Sequence, residues 1–105
     1  MTLNNDLICR IKKKAIKSFC RYRIAAFGLN RKGEILYVSN NKPRFERKGG
    51  GIHAEMNVML NSGPSLHTII LCRVNRTGNI RPIDPCPVCL KKSIELKIKI
   101  LTIGD

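Results

Sequence analysis

The sequence predicts an α/β domain built on a mixed sheet, and three observations carry that expectation. Apolar runs at strand spacing alternate with segments at helical spacing; the order reads α-β-β-α-β-α-β; and the chain closes on a strand-helix-strand unit. Such a unit requires a parallel strand pair and a right-handed crossover, whereas the first two strands are close enough in sequence to pair antiparallel, so the sheet must be mixed. A length of 105 residues leaves room for one core, and residues 1–105 are read as a single domain.

Each element has its own signal. Residues 4–20 place Leu7, Ile8, Ile11, Ala15, Ile16 and Phe19 at helical spacing between lysines, with Asn4 or Asn5 available as N-cap. Residues 23–29 and 34–39 are β-prone and flank Asn30-Arg31-Lys32-Gly33, the pattern of a hairpin. Residues 40–52 contain Pro43, four basic residues and three consecutive glycines, a loop long enough to suggest a function of its own. A short helix over 53–60 uses Ala54, Val58 and Leu60 and stops at Asn61-Ser62-Gly63-Pro64. Residues 67–74 are nearly all apolar, as in a central buried strand, and a polar loop over 75–85 follows. The next helix opens at Cys86-Pro87, with Pro87 suited to the first helical position, and 98–103 form the last strand.

Charge sets the chain apart from an average domain. With 20 Lys and Arg against 7 Asp and Glu, the formal charge is +13. That excess favours polyanionic partners over cationic ones. The longest apolar run, 24–29, is far short of a membrane span, and the basic first twenty residues contain no apolar core of a secretory signal, so the expectation is an intracellular, reducing compartment with no membrane partner. Five cysteines are an odd number for a disulfide framework. Cys9, Cys20 and Cys72 lie in apolar patterns and read as small core residues, which leaves the spaced pair Cys86 and Cys89.

The chemistry is concentrated at two helix starts. Cys86 and Cys89 are three apart, so both sulfurs can face one metal from a first helical turn, and His53 at the other helix start supplies a third donor. Three protein ligands leave a fourth tetrahedral position for water, the catalytic pattern for zinc, and the positive ends of the helices favour thiolates. Water bound there is acidified to about neutral pH. Glu55 follows two residues after His53, within reach of that water and suited to shuttling protons. Either motif alone is common by chance; together they read as H-x-E…P-C-x-x-C, the pattern of zinc nucleobase deaminases.

By these residues the chain resembles the cytidine and deoxycytidylate deaminase superfamily from about Arg23 onward. The resemblance implies a three-layer α/β/α fold in which His53, Cys86 and Cys89 hold zinc. It implies that Glu55 protonates the ring nitrogen and then the leaving amine, and that the backbone N–H of Ala54 meets the base. Asn41 matches the position of a sugar-binding Asn, with Asn40 one residue away. Family members usually continue with a further strand and helix beyond the equivalent of 101–105, which would leave this sheet edge either covered by a second subunit or open as a shallow site.

Three functions from different classes follow. The first is a zinc-dependent hydrolytic deaminase converting cytosine to uracil in a (deoxy)cytidine nucleotide, with Lys42, Arg44, Arg47 and Lys48 available for a monophosphate. The second is a deaminase of cytosine in single-stranded DNA or RNA, favoured by basic residues clustered in 10–23, 42–48 and 73–81. The third is a catalytically silent, zinc-containing nucleic-acid-binding module. Glu55 argues against it, because a structural zinc site has no need of a carboxylate beside an open coordination position.

Overall fold

The computed structural model describes residues 5–17, 23–40, 54–85 and 87–103. Its elements in chain order are α1 (Asn5–Ile16), β1 (Arg23–Leu29), β2 (Ile35–Asn40), α2 (Ala54–Asn61), β3 (Thr68–Val74), β4 (Ile80–Arg81), α3 (Pro87–Glu95) and β5 (Lys99–Thr102). β1 pairs antiparallel with β2 on one side and with β3 on the other. The far edge of β3 is shared: β5 runs parallel to its first half, Thr68 opposite Lys99 through Leu71 opposite Thr102, and β4 pairs antiparallel with its end. The mixed sheet expected from the closing strand-helix-strand unit is present.

The two faces of the sheet separate by residue parity. On one face Ala25, Phe27, Leu29, Ile70, Cys72 and Val74 pack with Ile11 and Ala15 of α1. On the other, Ala26, Ile69 and Leu71 pack with Ala54, Val58 and Met59 of α2 and Cys89 of α3. Helices on both faces make three layers and explain why β1 and β3 are nearly continuous apolar runs instead of alternating ones. Gly28 sets how close α2 lies on β1. A Cβ there would come 2.6 Å from Val58 Cγ1 and 2.7 Å from Ser62 Oγ.

The sequence reading needs correction at four places. Residues 75–85 are not wholly loop: Asn75 accepts from the backbone N–H groups of Thr77 (3.0 Å) and Asn79 (2.9 Å), and this side-chain-closed turn folds β4 back onto β3. Gly78, at φ 83°, occupies the left-handed position in that turn. Cys9 is exposed rather than core, because it lies about 200° around α1 from Leu7 and away from the Ile11–Ala15 stripe. Ile16 and Leu60, expected to face inward, are 40% and 72% exposed; each lies off the stripe that meets the sheet. No helix among the described residues is long and apolar enough to cross a membrane.

Candidate active site

The register of the sheet fixes where the two helix starts lie. Ser39, Ala26 and Leu71 form one level across β2, β1 and β3; two residues further along, Ile24, Arg73 and Arg81 form the next. Asn57 Nδ2 donates to Ser39 Oγ at 2.6 Å, which places the middle of α2 over the first of these levels. Val58 lies over Gly28 in the opposite direction, so α2 begins toward the Ile24–Arg73 end, with Ala54 about 4.5 Å before Asn57 along the helix. α3 is led into by β4 at that same end and returns to β5 at the start of β3, so its first turn lies there too.

Ala54, Glu55, Val58 and Met59 form the buried stripe of α2. Glu55 is 3% exposed and lies in the first turn of α2. Cys89, 1% exposed in the first turn of α3, shares a core cluster with Ala54. The first turns of α2 and α3 therefore meet on one face of the sheet. His53 immediately precedes Ala54, and Cys86 immediately precedes Pro87, but both lie outside the described residues, as does Asn41. Among the described residues no three His, Cys, Asp or Glu side chains are grouped to hold a metal. The proposed set of one imidazole and two thiols fits zinc, and the described member, Cys89, is buried where the two helices meet.

Asn40 is used by the fold. Its Nδ2 donates to the backbone carbonyls of Lys14 at 2.7 Å and Ile24 at 3.1 Å, tying the end of α1 to the start of β1 across the end of β2. The two N–H groups of the Asn40 amide are thereby committed to the main chain and are not available as donors to a sugar.

Sequence reasoning missed Asn57 and the Arg73–Arg81 pair. Ser39 Oγ accepts from Asn57 and donates to the Asn40 carbonyl at 3.2 Å, while Asn61 Nδ2 donates to Asn57 Oδ1 at 2.7 Å. This chain of hydrogen bonds holds α2 at a set height on the sheet. A polar Asn four residues before Asn61 on a short helix was the available signal. The Arg73–Arg81 pairing depends on β4, a strand of two residues with no apolar run to mark it.

No protein-family model matches this sequence, and no curated protein matches it. Among solved structures, cytidine deaminase from Mycobacterium tuberculosis is similar with a TM-score of 0.65 and 19% identity, covering 91% of this chain and 81% of that one. A mutant of the same protein gives 0.67 and 18%, covering 94% and 85%. Cytidine deaminase from Mycobacterium leprae gives 0.62 and 17%, covering 96% and 89%. The chain has the fold of these cytidine deaminases, as the sequence resemblance implied.

Proposed function

We propose that this chain, on its cytidine-deaminase fold, is a hydrolytic deaminase that converts cytosine to uracil in a (deoxy)cytidine nucleotide, and that residues 1–105 act as one deaminase domain. The observation that supports this most is the meeting of the α2 and α3 first turns, which brings buried Glu55 and buried Cys89 to one end of one sheet face.

His53, Cys86 and Cys89 would hold a zinc ion, which when bound acidifies water and supplies positive charge near it. The chain's own residues carry the proton traffic. The Glu55 carboxylate takes a proton from the water that adds to C4 of cytosine and passes it to N3. It then moves the second proton from the new C4 hydroxyl to the amine, which leaves as ammonia while the C4–oxygen double bond forms. Ala54 N–H, at the first position of α2, has no partner within the helix and is free by helix geometry to meet the base carbonyl. Asn41 contacts the sugar.

A second reading, a polynucleotide deaminase, is favoured by the +13 charge and by exposed Arg10, Lys13 and Lys17 on α1. Incubating zinc-loaded protein with dCMP, deoxycytidine and a single-stranded deoxycytidine oligonucleotide, and measuring uracil formed, tests both. Conversion of dCMP is the expected result; conversion of the oligonucleotide alone transfers the assignment to the second reading, and conversion of none removes both.

A further inference from the structure

We infer that Arg73 and Arg81 form a phosphate clamp at the rim of the candidate active site, so that the substrate carries a phosphate on its sugar. This rests on the deaminase reading and specifies its substrate class.

The two arginines are directly opposite each other on β3 and β4. Opposite residues of an antiparallel pair point to the same side, with Cβ atoms about 5 Å apart. That side is the α2–α3 face: Arg73 follows Ile69 and Leu71 at alternate positions of β3, both of which pack there, and its other neighbour, Ile24, packs against the same cluster. The Ile24–Arg73–Arg81 level is the end of the sheet toward which α2 and α3 begin. Ile83, two residues beyond Arg81, also packs on this cluster, so β4 delivers the chain from the arginine pair directly to the start of α3.

Like charges directly opposite on neighbouring strands cost stability. Arg73 is half-buried, and Arg81 is exposed on the two-residue edge strand. Guanidinium forks carried by two directly opposed residues can converge on the oxygens of one phosphate, which would accept several charge-assisted hydrogen bonds. A neutral nucleoside offers this pair no anionic oxygen. The phosphate belongs either to a nucleoside monophosphate or to the backbone of a single strand.

The test compares dCMP with deoxycytidine, as kcat/KM for deamination and as equilibrium affinity, in wild type, Arg81→Gln and Arg73→Gln. Arg31→Gln, in the β1–β2 turn at the opposite end of the sheet, is the control. A wild-type preference for dCMP that falls about tenfold or more in the arginine variants and is retained in the control is the expected result. Arg81 is on an exposed two-residue edge strand, so Arg81→Gln keeps the test decisive if Arg73→Gln does not fold. Absence of a preference for the phosphorylated ligand, or a preference unchanged in Arg81→Gln, overturns the clamp. If the wild type deaminates neither compound, the deaminase reading fails, and the affinities still decide the clamp by the same criterion. Repeating the affinity measurement with a single-stranded deoxycytidine oligonucleotide separates the sources: arginine-dependent binding of the oligonucleotide but not of dCMP assigns the clamp to a phosphodiester.

Discussion

Asn57 Nδ2 donates to Ser39 Oγ at 2.6 Å, joining the helix that carries Glu55 to the edge strand of the sheet. Ser39 is 4% exposed, so removing its donor leaves a buried hydroxyl with one interaction fewer. Asn57→Ala should lower unfolding stability by roughly 1–3 kcal/mol, measured by urea denaturation. It should also weaken turnover by more than the loss of folded fraction explains, because the height of α2 sets where Glu55 lies. A variant with wild-type stability and turnover would remove this bond from the account.

Gly28 is the second support of α2. An added methyl would meet Val58 Cγ1 at 2.6 Å, Ser62 Oγ at 2.7 Å and Leu66 Cδ1 at 2.9 Å, and the first two belong to the chain just above the sheet. Gly28→Ala should therefore push α2 outward at a cost of about 1–3 kcal/mol. Thermal unfolding checks this, and an unchanged midpoint would mean that α2 does not lie as close to β1 as the contacts require.

Cys72 and Cys9 should behave oppositely toward an alkylating reagent. Cys9 is exposed on α1, whereas Cys72 is buried, and burial pushes its thiol up from 9.0 to about 11, with the Lys12 ammonium lowering it part of the way back. Since the folded state holds this proton more tightly than the unfolded chain, the contribution is fully present below pH 9. It is lost as pH rises from about 9 to 11, at up to roughly 1.4 kcal/mol per pH unit. Cys72→Ala should unfold with a shallower alkaline fall in stability than wild type. Equal slopes in the two proteins would contradict the assignment.

The β1–β2 hairpin was legible from sequence, and its turn shows why β4 could have been. Asn30 Oδ1 accepts from the backbone N–H groups of Lys32 and Glu34 at 3.0 and 2.9 Å, the same arrangement that Asn75 makes with Thr77 and Asn79. Asn30-Arg31-Lys32-Gly33 and Asn75-Arg76-Thr77-Gly78 are one turn pattern used twice. The first was recognised because long apolar strands flank it; the second leads into a strand of two residues with no apolar run. Parity similarly explains the site. The motif residues Ala54, Glu55 and Cys89 were readable as types at a spacing, but Arg73 and Arg81 become neighbours only through strand register, which no local pattern encodes. Cys9 was misread because its apolar neighbours belong to another face of the helix.

The charge separates the two substrate readings. If Arg10, Lys13 and Lys17 on α1 track a polymer, oligonucleotide affinity should fall with salt at a log–log slope of about −0.7 per phosphate contacted. Arg10→Gln, Lys13→Gln and Lys17→Gln together should flatten it. Binding of dCMP should show the shallow slope of a single phosphate contact. An oligonucleotide slope no steeper than that of dCMP would argue against a polymer track.

The most direct test of the central claim is zinc content and uracil formation measured together in wild type and Glu55→Gln. The account predicts about one zinc per chain in both proteins, as expected of a three-ligand site. It also predicts wild-type conversion of dCMP that drops by roughly 10²-fold or more in the variant, the range typical of a lost general acid–base group. Absence of zinc from the wild type, or Glu55→Gln turning over at the wild-type rate, would contradict it.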